Sequence, residues 1–130
     1  MRAMKQQQSL RIIFAGALVA LMAACATAPT SGPAALAGTW INTLGTVWTV
    51  NPDGTFQVDL DKDGKPDIWG KYSVTGDMVT INEVRGKAPK SCEHPAIYRF
   101  NRMGNQLHLT LVSDTCHLRI KNATQPWTKK

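Results

Sequence analysis

The stretch Gly70-Lys71-Tyr72-Ser73-Val74-Thr75-Gly76-Asp77-Met78-Val79-Thr80-Ile81 decides the fold. Apolar and polar residues alternate at period two on both sides of Thr75-Gly76-Asp77, the pattern of two half-buried strands. Glycine and aspartate adopt turn conformations at little cost, so the stretch reads as an antiparallel hairpin.

Outward from this hairpin the alternation recurs. It predicts strands over 38–43, 46–51, 54–60, 68–74, 78–84, 95–101, 106–112 and 116–121, and no helix. Pro52-Asp53-Gly54 and Met103-Gly104-Asn105 are further turn connectors, and consecutive hairpins make a meander. Eight short strands in one open sheet would leave an apolar face and both edges in water, so a closed barrel or a sandwich is the economical arrangement. Phe56, Val58, Leu60, Tyr72, Val74, Tyr98, Phe100, Leu107, Leu109 and Leu111 share one face and are the expected core. Gln57, Asp59, Lys71, Arg99, His108 and Thr110 are expected to look outward.

Gly38-Thr39-Trp40 opens the first strand, and a fixed order of features follows. Gly70 to Ile81 comes first, then a cysteine, Tyr98-Arg99-Phe100, and Gln106 to Cys116 with Arg119 beyond. This set resembles small lipocalin-like domains of bacterial secreted proteins and lipoproteins, Gly38-Thr39-Trp40 being similar to the Gly-x-Trp motif of lipocalins and other calycin barrels. The resemblance covers most of residues 38 to 121 and implies an all-β, antiparallel up-and-down barrel of about eight strands. It also implies that a basic residue late in the barrel packs over Trp40, with Arg119 as the candidate. Alternation from Leu118 and Ile120 places Arg119 on the other face, so an exposed arginine stays open as an alternative. Strands of about six residues favour a filled interior over a roomy cavity.

Residues 1 to 11 are basic and polar, and Ile12 to Ala24 is a run of 13 apolar or small residues. That is the layout of a secretory signal, too short for the roughly 20 residues of a spanning helix. Leu21-Met22-Ala23-Ala24-Cys25 resembles the lipobox of bacterial lipoproteins, with Met22 where leucine is usual. The resemblance implies cleavage before Cys25, a diacylglycerol on its thiol and an acyl group on its new amino group. At about 0.8 kcal/mol per buried CH₂, such chains hold a protein firmly on a membrane. An ordinary secreted protein with a spare cysteine is the alternative. Ala26 resembles the outer-membrane sorting pattern, implying an outer-membrane address facing the periplasm. The chain thus divides into a signal peptide (1–24), a lipidated N-terminus and flexible tether (25–37) and a barrel domain (38–130), the tether being small, uncharged and Pro- and Gly-containing.

The formal net charge is +6, but Arg2, Lys5 and Arg11 precede the cut. Without them 15 basic residues become 12 against 9 acidic, a charge of +3, too mild to point to nucleic acid. Cys92 and Cys116, 24 positions apart, are expected to form a disulfide in an exported chain. Closing that loop is worth about 3–4 kcal/mol in the chain-entropy picture. A metal or redox use finds no support, because no Cys-x-x-Cys or closely spaced His pair occurs. His94, His108 and His117 read as solvated.

The sharpest local motif is Asp59-Leu60-Asp61-Lys62-Asp63-Gly64-Lys65-Pro66-Asp67. It resembles the Asp-x-Asp-x-Asp-Gly-x-x-Asp calcium loops of bacterial repeat domains and the first half of an EF-hand. That resemblance implies ligation of Ca²⁺ by Asp59, Asp61, Asp63, Asp67 and the Lys65 carbonyl. Gly70 stands where an EF-hand has its closing glutamate, which points to a structural ion held at about 10⁻⁴–10⁻³ M. A polar hairpin loop, with Lys62 and Lys65 offsetting the acids, is the competing reading.

Catalysis needs a nucleophile with its base, paired carboxylates in a cleft or an open metal, and no such spacing occurs. The leading expectation is a monomeric, membrane-anchored binding or structural module of the cell envelope. The loop from Val84 to Pro95 and the acidic loop are its candidate surfaces for an envelope protein. The alternative is an inhibitor of a secreted hydrolase, a lysozyme or protease, with the acidic loop meeting a basic enzyme. A carrier of a small apolar ligand comes third.

Overall fold

The structure is a computed structural model and describes residues 27–130. The expected signal peptide and Cys25 lie outside the described residues. Among the described residues eight strands run β1 (Gly38–Asn42), β2 (Val47–Val50), β3 (Thr55–Asp59), β4 (Ile68–Thr75), β5 (Met78–Gly86), β6 (Ala96–Met103), β7 (Gln106–Ser113) and β8 (Trp127–Lys129). Each pairs antiparallel with the next, and β8 returns to β1 through Trp40 opposite Lys129, closing the barrel. The fold is an all-β up-and-down barrel, one of the two arrangements the alternation and hairpin turns allow and the one the lipocalin resemblance implies. On β4 Ile68, Gly70 and Tyr72 face in while Trp69, Lys71 and Ser73 face out. The expected core holds for Phe56, Tyr72, Tyr98, Phe100, Leu107 and Leu109, with Val58, Leu60 and Val74 partly buried against it.

Two segments differ from the sequence reading. Residues 116–121, expected as the last strand, form instead the N-cap and most of helix α2 (His117–Ala123). Their short alternation also fits a helix that turns Leu118, Asn122 and Ala123 to one side. The closing strand is β8, three residues long, and it meets β7 only at Gln106 and Leu107. The upper half of β7 therefore has no neighbour on that side. Leu111, expected in the core, is 41% exposed there.

Following the strands separates two ends. The chain enters at one end, where a helical turn α1 (Pro33–Leu36) folds across the barrel floor with Ala35 and Leu36 fully buried. The last residues of the expected tether are thus a plug. Trp40 Nε1 donates to the Leu36 carbonyl at 2.8 Å, and Gly32 N donates to the Gly76 carbonyl at 3.1 Å. The connections at this end, 51–54, 76–77 and 104–105, are short. Segments 43–46, 60–67, 87–95 and 114–126 all lie at the other end. No helix among the described residues is long and apolar enough to cross a membrane.

A glycine sets the curvature of the middle of the wall. A Cβ on Gly70 would meet Phe56 Cζ at 2.5 Å, so the phenyl ring occupies the space of the missing side chain. Beside it the β4–β5 register slips between Trp69 and Lys71, and Glu83 takes a positive φ of 48°. Such bulges bend a strand and increase its twist, which helps a sheet close.

Candidate functional site at the loop end of the barrel

The disulfide joins Cys92, at the end of the 3₁₀ turn Lys90–Cys92, to Cys116, the N-cap of α2. Both cysteines are buried, so this is a staple across the mouth. Beside it Arg119 makes a bidentate pair with Asp114, Nε to Oδ2 and Nη2 to Oδ1, both at 2.6 Å. Nη1 also donates to the Cys92 carbonyl at 3.0 Å and Nη2 to the His94 carbonyl at 2.9 Å. Tyr98 donates its hydroxyl to Asp114, and Cys116 N–H donates to the other carboxylate oxygen. Burial pushes the Asp114 carboxyl up, but Arg119, Tyr98 and the Cys116 N–H outweigh it and hold it below its ordinary value. Burial and the bond to Asp114 push Tyr98 up, so it stays protonated.

Arg119 is therefore not the cation over Trp40. It belongs to a helix at the opposite end of the barrel, and its five-donor fork is taken up by the mouth network. The Trp40 ring instead lies beside Arg102, 5.2 Å from its centroid, and Lys129 at 5.7 Å. Arg102 is buried, with Nε on the Gly104 carbonyl and Nη1 on the Ala35 carbonyl, both at 2.9 Å. Its inward position was legible, since it continues the Ala96, Tyr98, Phe100 face of β6. Gly38 stands at φ 131° beside the Lys129 side chain.

Beneath α2 lies an apolar cavity of about 70 Å³, bounded by Trp48, Phe56, Leu109, Leu118, Ala123 and Trp127. Drug-sized ligand sites run to about 300–1,000 Å³, so side chains fill most of the interior. Asn122 closes one margin, accepting from Thr46 Oγ1 at 2.5 Å. Every buried side-chain nitrogen or oxygen among the described residues has a hydrogen-bond partner.

The acidic loop folds on itself at the same end. Asp59, Asp61 and Asp67 each bring an oxygen within 4.8 Å of the others, whereas the Asp63 carboxylate stands outside that group. Asp59 accepts from the N–H groups of Lys62 and Gly64, and Asp63 accepts from Lys65 N. Asp67 is the buried anchor, accepting from Leu60 N and from Lys87 Nζ, both at 2.9 Å. Lys87 first, then the Leu60 N–H, hold its carboxyl below the ordinary range, while Asp67 raises Lys87 in return. The Asp63 N–H lowers Asp61, but burial and the charges of Asp63 and Asp67 prevail and push it up. The donor chemistry suits a hard cation; three converging carboxylates fall short of the six to eight oxygens calcium takes.

The staple, the arginine network, the cavity and the acidic loop thus share one end. His94, His108 and His117 are exposed. No family model matches this chain, and no curated protein and no solved structure matches it.

Proposed function

We propose that this chain is a lipocalin-like lipoprotein of the bacterial envelope, lipidated on Cys25, whose barrel serves as a non-catalytic binding module. The carrying observation is polarity: the chain enters at the floor plugged by α1, and the three longest connections, 60–67, 87–95 and 114–126, gather at the opposite end. An anchor at Cys25 on the outer-membrane face then turns the stapled mouth and acidic loop toward the periplasm. Fusing the rim through a disulfide and a bidentate arginine pair makes it a rigid presenting surface, which lowers the ordering cost of binding an envelope protein. The protein as made by a bacterium tests the anchor: intact mass should show an N-terminus at Cys25 carrying acyl chains, and C25A should leave the membrane fraction. An unmodified Cys25 in the mature protein sinks the reading. Pull-down from the periplasm with the membrane-free chain then separates partner classes, a stoichiometric hydrolase favouring inhibition.

A second reading concerns the acidic loop. The convergence of Asp59, Asp61 and Asp67, with Asp61 pushed up by its neighbours, supports a weak structural calcium site at the rim. Calcium titration should shift Trp69 fluorescence and raise the melting temperature at millimolar concentrations. No response there removes the claim.

A further inference from the structure

We infer that the outer wall of β1 to β4 is a saccharide-binding groove ending on Trp69. A groove of about 210 Å³ runs along the β1–β3 part of this wall under the acidic loop, lined by Thr39, Thr49, Gln57, Asp59, Lys62 and Lys130, and Trp69 stands beyond that lining as the cross-strand neighbour of Gln57. The register puts its polar groups in one row, Thr39 opposite Thr49, Thr49 opposite Gln57, and Gln57 opposite Trp69. At about 4.8 Å between neighbouring strands the row is about 14 Å long, which suits a short oligosaccharide. A sugar ring has an apolar C–H face and a rim of hydroxyls. It therefore asks for a flat aromatic ring beside hydroxyl, amide and carboxylate groups, the chemistry this row presents.

Trp69 differs from the other tryptophans in a way that fits such a platform. It is 45% exposed, against 0%, 4% and 3% for Trp40, Trp48 and Trp127. Its indole rests on bare backbone, because a Cβ on Gly86 would stand 3.0 Å from Trp69 Cε3 and Cζ3. The adjoining bulge re-aims the strand at this point. An aromatic ring set in place before binding has little rotamer freedom left to lose. Lys62 and Lys130 offset the charge of Asp59 in the groove, so both an acceptor and donors for hydroxyls face a bound sugar.

The groove rests on the sheet geometry alone; the sources of sugar follow from the envelope reading. The full mature chain in a sugar-free zwitterionic detergent should show a saturable change in tryptophan emission on titration with tri-N-acetylglucosamine. Loss of that change in W69A assigns it to Trp69, the exposed indole. W69A should abolish binding measured by calorimetry, and Q57A should weaken it about two- to tenfold, one hydrogen bond's worth. Both positions lie on the outer wall, and unchanged melting temperatures confirm folding. If W69A fails to fold, Q57A and T49V decide. Co-sedimentation with peptidoglycan sacculi against binding to lipopolysaccharide distinguishes the two sources. Binding of the trisaccharide without either source supports the groove and counts against the envelope reading. No emission change with the trisaccharide, sacculi or lipopolysaccharide, or parent-like binding by W69A and Q57A, overturns the groove.

Discussion

Asp114 is the residue on which the mouth depends, because one buried carboxylate gathers Arg119, Tyr98 and the N-cap of α2. Its side chain is fully buried and that of Arg119 only 10% exposed, so breaking the pair strands a charge. D114N should cost about 3–5 kcal/mol at neutral pH, read by urea unfolding. Because the folded carboxyl lies below its ordinary 3.8, the stabilisation is complete above about pH 4 and is lost as pH falls through the lower folded value. The parent chain should therefore lose stability below about pH 4 more steeply than D114N; equal acid slopes would contradict the role given to Asp114. Gly70 is critical in a different way. G70A forces a methyl against Phe56 and the Asn82 carbonyl, and should destabilise by about 1–3 kcal/mol, again by urea midpoint. Sequence placed Gly70 in a strand but carried no sign of the phenyl ring above it, because their meeting depends on cross-strand register.

Among the elements, seven of the expected strands appear within two residues of their expected ends. Most of them alternate over five residues or more, and the first six are followed by a turn or loop that suits a hairpin. The last was misread for a physical reason. Residues 116–121 are held at Cys116 by the disulfide and at Arg119 by the Cys92 and His94 carbonyls, and these long-range contacts select a helix where two alternating apolar residues also fit a strand. β8 was missed because three residues carry too little pattern, although Trp127 is buried and its Nε1 donates to the Ala123 carbonyl. α1 was read as tether for the same lack of period. Yet its burial makes it part of the core, and L36A should lower stability by about 2–5 kcal/mol in thermal or urea unfolding. A change under 0.5 kcal/mol would mean that α1 sits loosely on the floor.

At the scale of the whole molecule, polarity yields the remaining prediction. On the proposed lipid anchor at Cys25, with a short run of residues before α1, the floor should lie nearer the membrane than the mouth. A fluorophore at N105C, on the floor, should transfer energy to a membrane dye more efficiently than one at E93C, by the mouth, in vesicles carrying the lipidated chain. Equal transfer from both would mean that the barrel lies on its side or tumbles on its tether.

Sequence by itself determined the all-β class, the pairing of Cys92 with Cys116 and most of the inward face, and the lipocalin resemblance chose the barrel over the sandwich. Period-two alternation and the presence of two cysteines beyond residue 37 are local or compositional signals that need no tertiary partner. Tertiary structure alone decided which cation lies beside Trp40, that the Gln106–Lys129 region closes through a helix and a three-residue strand, and that Asp63 stands apart from Asp59, Asp61 and Asp67. It also decided that Thr39, Thr49, Gln57 and Trp69 form one row across four strands. Those outcomes depend on register and on which end of the barrel a loop occupies. Only closure of the sheet sets both.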